Sequence, residues 1–164
     1  MVRWPPPQYH ITVDFDVPLS FAYRWCTDFQ PDDSALAGEH FDRRILRRSR
    51  KEVLFEDLWW ERDGWFWRRN RVALHPPDSW HVDSVGNFRD STLDYHLTEL
   101  PGGQTRFDLR LRRRPVPGRG RQLVRATLEA ELRWRWRRYA REMVRDYHRS
   151  AKGRRSHPRA RSKR

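Results

Sequence analysis

The sequence predicts an α+β fold: a curved seven-stranded antiparallel sheet wrapped around one long C-terminal helix, with two short helices after the first strand. Three observations predict it. The opening HITVDFDV alternates apolar and polar residues, as a half-buried strand does. From Phe41 to Arg113 the helical period is absent, and β-rich runs are divided by turn signals. From Arg121 to Ser150 the chain then has neither glycine nor proline and is rich in helix formers. A one-faced sheet and a striped helix each need a partner surface, and a sheet that curls around the helix satisfies both.

The elements follow in order. Pro5 to Pro7 make a stiff extended leader over residues 1–8. The first strand places Ile11, Val13, Phe15 and Val17 on one face and His10, Thr12, Asp14 and Asp16 on the other. Pro18 suits a helix start, and Leu19, Ala22, Tyr23, Cys26 and Phe29 follow at helical spacing. PDDSALAG is a second short helix closed by Gly38. Turn signals at Lys51, Asp63-Gly64, Pro76-Pro77, Asn87 and Gly102-Gly103 cut the next stretch into six strands. The last helix should end before Gly153, with a stripe of Val124, Leu128, Leu132, Trp136, Tyr139, Met143 and Tyr147 at spacings of three or four. A core stripe is the simplest role for that face, with Trp136, Tyr139 and Met143 also placed to meet a ligand. Residues 9–150 are thus expected to form one domain and 151–164 a basic flexible tail.

Composition narrows the function. The chain has 164 residues, 37% hydrophobic and 13% aromatic, enough to bury a core without covalent staples. A lone Cys26 excludes an internal disulfide, and the seven histidines show no HExxH or paired Cys/His spacing, so neither metal nor cofactor is expected. No apolar run reaches the length of a signal core or membrane span, which points to a soluble cytoplasmic protein. Net charge is +13, and KGRRSHPRARSKR supplies seven of those charges without one acid. Residues 152–164 could therefore meet an anionic membrane surface or nucleic acid. Arginine bias along the whole chain equally admits a compositional origin.

Aromatic residues concentrate in DLWWERDGWFWRRNRV, from Asp57 to Val72. A two-residue turn at Asp63-Gly64 would set Trp60 against Trp67, Leu58 against Arg69 and Glu56 against Arg71 on one face. On the other it would set Phe55 against Val72, Asp57 against Asn70 and Trp59 against Arg68; a different turn shifts this register. The first face, an ion pair and stacked indoles among arginines, suits a solvated exterior. The second, with an apolar end and a polar end, suits a cavity. Phe55, Asp57, Trp59, Arg68 and Asn70 are its candidate ligand-binding residues, although an Asp57–Asn70 hydrogen bond would satisfy both polar groups unaided. Alternation adds Tyr95 and Phe107 to the face that meets the helix. His81 and His96 would approach Asp83 and Asp94 across neighbouring strands, where an imidazole beside a carboxylate would act as a general base, or these groups would equally sit on the surface. Cys26, on an apolar helix face, reads as an inert thiol.

The order β-α-α-β-β-β-β-β-β-α resembles the START-related superfamily of polyketide cyclase/dehydrases, pollen-allergen-like and coenzyme Q-binding proteins, whose architecture is the helix-grip fold. ITVDFDVPLSFAYRWCTDF looks like its opening strand, proline and first helix ending in an aspartate, here Asp28. STLDYHLTELPGGQTRFDLRLRRRP looks like its penultimate hairpin, with Gly103 and Thr105 in the turn. The resemblance implies a cavity between sheet and helix that holds a hydrophobic small molecule: a lipid, isoprenoid or polyketide. It also implies, as an alternative, cyclase or dehydrase chemistry there. It carries over no catalytic residue.

Overall fold

The structure, a computed structural model, describes residues 9–37, 40–61, 64–115 and 125–155. Expectations for the proline leader, Gly38, Asp63, Val124 and the basic segment beyond Arg155 fall outside these. The elements are β1 (Tyr9–Phe15), α1 (Leu19–Thr27), α2 (Asp33–Ala37), β2 (Phe41–Arg48), β3 (Glu52–Glu61), β4 (Gly64–His75), β5 (Ser79–Gly86), β6 (Arg89–Leu100), β7 (Gln104–Pro115) and α3 (Arg125–Arg155). All seven strands join one antiparallel sheet in the order β1-β7-β6-β5-β4-β3-β2. This is the helix-grip fold.

Local chemistry explains the joints. Pro18 caps α1, its carbonyl accepting from the Phe21 and Ala22 amides at 3.0 Å each. Gly102 and Gly103 adopt φ of 84° and 79° between β6 and β7, a left-handed region open to glycine at little cost. Below that turn the buried Thr105 hydroxyl donates to the Val17 carbonyl at 2.8 Å, tying β7 to the chain leaving β1. Because β1 and β2 are opposite edges, α1 and α2 carry the chain from one side of the sheet to the other.

The core lies where α3 meets the β1–β7 side. Ile11, Val13 and Phe15 of β1 pack with Phe107, Leu109 and Leu111 of β7, and Leu128, Leu132 and Met143 of α3 close over them. The Trp25 indole donates to Asp146 at 3.0 Å, which fastens α1 to α3. Helix α3 does not stop before Gly153 as expected but continues through it to Arg155. One glycine costs only about 1 kcal/mol in a helix, too little to end it alone.

The tryptophan hairpin corrects a second expectation. Glu61 faces Gly64, so the register is shifted by two residues: Trp60 meets Trp65, Asp57 meets Arg68, Trp59 meets Phe66 and Phe55 meets Asn70. A shift of two preserves the faces, because side chains alternate with period two. Trp60 and Trp65 remain outside, edge to face at 4.9 Å. The exterior ion pairs become Glu56 with Arg69 at 2.6 Å and Glu52 with Arg71 at 2.8 Å.

Candidate functional site

The inward faces of β4 to β7 align in three successive rows. Leu74, Trp80, Tyr95 and Leu109 form the first, and Val72, Val82, Leu93 and Leu111 the second. The third is polar: Asn70 opposite Ser84, Ser84 opposite Ser91, and Ser91 opposite Arg113. Facing these rows, Leu132, Trp136 and Tyr139 of α3 leave a cavity of about 250 Å³ between helix and sheet. Its apolar end is aromatic. Trp80 stacks on Tyr95 with centroids 4.7 Å apart, while Trp136 meets Tyr95 at 6.0 Å and Tyr139 at 5.2 Å.

The polar end is built of groups that are expensive to bury. Asn70, Ser84 and Ser91 are each less than a tenth exposed. Four guanidinium groups, those of Arg68, Arg89, Arg113 and Arg135, line the same end. Desolvation lowers the Arg113 pKa to about 10, helped by the like charges of Arg89, Arg68 and Arg135 and opposed by Tyr9. Gly86 sits opposite Arg68, where a Cβ would come within 2.6 Å of the Trp67 carbonyl. Only glycine lets the two strands approach this closely.

Beside this end lies an ion-pair chain. Asp57 is fully buried and accepts from Arg43 Nε at 2.7 Å and from Arg68 Nη2 at 2.8 Å. Arg43 is itself buried and donates to Asp33 at 2.5 Å. The Arg43 guanidinium lies 4.2 Å from the Phe55 ring centroid, and that of Arg68 5.2 Å from Trp59. Asn70 reaches Asp57 only at 3.5 Å, so the arginines, not the expected Asp57–Asn70 pair, satisfy the carboxylate.

The cavity edge is formed by the chain leaving α1. Asp28, open to solvent on one side, is pushed up to about 6 by desolvation on the other and by the negative charge of Asp33, against the pull of Arg48. Next to it Phe29 holds φ of 45°, an unusual conformation for a bulky residue. Its ring packs on Phe55 at 5.3 Å, and its carbonyl accepts from Arg48 at 2.8 Å. Cys26 also faces the cavity, and burial drives its thiol pKa upward, away from reactivity.

Of the residues expected to meet a ligand, Phe55, Trp59, Arg68, Asn70, Tyr95, Trp136 and Tyr139 line the cavity. Three do not. Asp57 is held behind Arg43 and Arg68, Phe107 is wedged between Phe15 and Trp136, and Met143 is fully buried in the core. His81 binds Asp94 at 2.6 Å and Asp83 at 3.0 Å, but on the outer face of β5, away from the cavity. His96 stands opposite Ser79 and is exposed on the same outer face. Sequence reading missed Arg43, Arg113 and Asp33. The first two were visible as basic residues in phase with apolar neighbours: Phe41 and Ile45 around Arg43, and Leu109 and Leu111 before Arg113.

Among the described residues no group of three or more His, Cys, Asp or Glu could hold a metal, and no helix is long and apolar enough to cross a membrane. The architecture is the helix-grip fold, with a cavity between the sheet and α3. Among solved structures it is similar to the Zhui aromatase/cyclase from Streptomyces sp. R1128, with TM-score 0.65 and 13% identity over 87% of this chain and 93% of that one. It is also similar to TTHA0849 from Thermus thermophilus, with TM-score 0.68 and 12% identity over 84% and 97%. A START superfamily protein from Mycobacterium smegmatis aligns with TM-score 0.57 and 12% identity over 80% and 90%. No protein-family model matches the sequence, and no curated protein does.

Proposed function

We propose that this protein binds, and by binding carries, a hydrophobic small molecule in the cavity between the sheet and α3. The observation that supports it is the cavity of about 250 Å³, walled at one end by Trp80, Tyr95, Trp136 and Tyr139. Such rings gain little by facing a void, and they match the flat apolar face of a bound molecule. The test is native mass spectrometry of freshly purified protein, followed by organic extraction. A discrete adduct lost on denaturation is the expected result. An empty protein that also takes up no aromatic probe would sink the reading.

A second reading has one specific observation in its favour. Asp28 stands at the cavity edge with a pKa of about 6, where a carboxyl both donates and accepts protons near neutral pH. The similar Zhui protein is an aromatase/cyclase. In this reading the cavity folds a polyketide-like chain and Asp28 moves the protons of ring closure or dehydration. Asp28→Asn should then abolish turnover and leave ligand affinity intact; equal loss of both would remove Asp28 from the chemistry.

A further inference from the structure

We infer that the molecule held in this cavity carries a neutral hydroxyl group, seated against Ser84, Ser91 and Asn70 while its apolar body lies toward Trp80 and Tyr95. This inference rests on the cavity being a ligand site. Its starting observation is a row of three polar side chains on the cavity wall, each more than nine-tenths buried. Among the described residues, no side chain or backbone group forms a hydrogen bond with either serine hydroxyl. Their own strands cannot supply one readily, because strand N–H and C=O groups lie along the ladder while side chains stand perpendicular to the sheet. A buried hydroxyl costs free energy unless it is paired, so what fills the cavity at this row has to offer hydrogen bonds.

The row also specifies the group it takes. Ser84 stands directly opposite Asn70 on β4 and Ser91 on β6, and neighbouring strands lie about 5 Å apart. One oxygen seated between the two serines is therefore within hydrogen-bond reach of both. Asn70 turns its amide nitrogen to the Asp57 carboxylate at 3.5 Å, which leaves its carbonyl oxygen as an acceptor. Two hydroxyls and an added acceptor are matched by a group that both donates and accepts, as a hydroxyl does and an ether or a carboxylate does not. Charge points the same way. Arg43 and Arg68 are answered by Asp57 and Asp33 in the ion-pair chain beside the row, and Arg89, Arg113 and Arg135 are not free either. A neutral group leaves that balance undisturbed, whereas a carboxylate would give up its hydration to meet cations that are already engaged. From Trp80 to Ser84, and from Ser91 to Tyr95, the chain advances four residues, roughly 13 Å at the rise of a β-strand. A fused aromatic ring with a hydroxyl at its far end spans that distance once van der Waals contact at each end is included.

The test compares three probes by isothermal titration calorimetry at neutral pH: 2-naphthol, uncharged there like any phenol, 2-methylnaphthalene of the same shape, and 2-naphthoate. The intact protein is expected to bind 2-naphthol most tightly, by about tenfold over 2-methylnaphthalene, the value of one or two neutral hydrogen bonds. Ser84→Ala and Ser91→Ala should each lower 2-naphthol affinity by roughly three- to fivefold and leave 2-methylnaphthalene within about twofold, which also reports that the cavity is intact. The double variant should bind the two nearly equally. Equal affinity for 2-naphthol and 2-methylnaphthalene in the intact protein overturns the hydroxyl assignment and leaves the cavity reading standing. Tighter binding of 2-naphthoate than of 2-naphthol overturns the neutral assignment in the same way. A 2-naphthol preference that survives in the double variant removes it from this row and overturns the inference. Binding of none of the three overturns the cavity reading, and this inference with it.

Discussion

Asp57 shows how one side chain organises the wall of the cavity without touching its contents. It is fully buried, and its two oxygens are divided between Arg43 at 2.7 Å and Arg68 at 2.8 Å. Removing one member of a buried ionic group strands the others, so Asp57→Ala should cost about 3–5 kcal/mol in urea denaturation. Arg68→Met should cost far less, about 1 kcal/mol, because the Arg68 side chain is 39% exposed and its charge returns partly to water. His81 makes a different residue-scale prediction. Burial disfavours its charged form, but hydrogen bonds to Asp94 and Asp83 outweigh that, and its pKa lies above the ordinary 6.5. The stabilisation is therefore complete below pH 6.5 and lost as pH rises through the folded value. Denaturation of His81→Gln at pH 5.5 and pH 9 should show a loss at the lower pH of no more than about 1 kcal/mol, and almost none at the higher. A larger loss at pH 9 would contradict the ion-pair account.

At the scale of elements, α3 divides its apolar stripe between two tasks. Met143 is wholly buried in the core, whereas Trp136 and Tyr139 face the cavity. Met143→Ala should thus destabilise by about 2–5 kcal/mol and leave the affinity for a cavity probe unchanged. Tyr139→Ala should do the reverse in emphasis, altering affinity more than stability. The stripe itself was plain from the spacing of Leu128, Leu132, Trp136, Tyr139 and Met143, but periodicity cannot tell a side chain over a void from one over packed residues. The β3–β4 hairpin teaches a related point. Alternation alone placed Phe55, Asp57, Trp59, Arg68 and Asn70 on the inner face, and that placement survived a wrong register because the error was two residues. Register depends on where the turn falls, and the observed pairing of Glu61 with Gly64 differs by two residues from the one that a turn at Asp63-Gly64 would set. Arg43 escaped notice for a simpler reason: in FDRRILRR four arginines look like a solvated surface until the phase set by Phe41 and Ile45 is followed through them.

Over the whole molecule, the arginine excess has two separable consequences. Charges on the exterior act through water and are screened within about 10 Å at ordinary ionic strength. Those at the polar end of the cavity lie partly inside a low-dielectric wall and are screened far less. A net charge of +13 will draw many anions to the surface, so weak binding of a carboxylate proves little by itself. Linkage to folding separates the two cases. A ligand at one hundred times its dissociation constant stabilises the native state by about 2.7 kcal/mol. For a chain of this length that corresponds to a rise in Tm of roughly 5–10 °C. Differential scanning calorimetry with a saturating aromatic cavity probe such as 2-naphthoate should give a shift of that size, and most of it should remain in 0.5 M NaCl if the probe sits between the sheet and α3. Association through basic residues on the outside would instead weaken steeply with salt, as phosphate-binding proteins do. A shift abolished by 0.5 M NaCl would therefore move the binding site from the cavity to the surface, whatever the affinity measured at low salt.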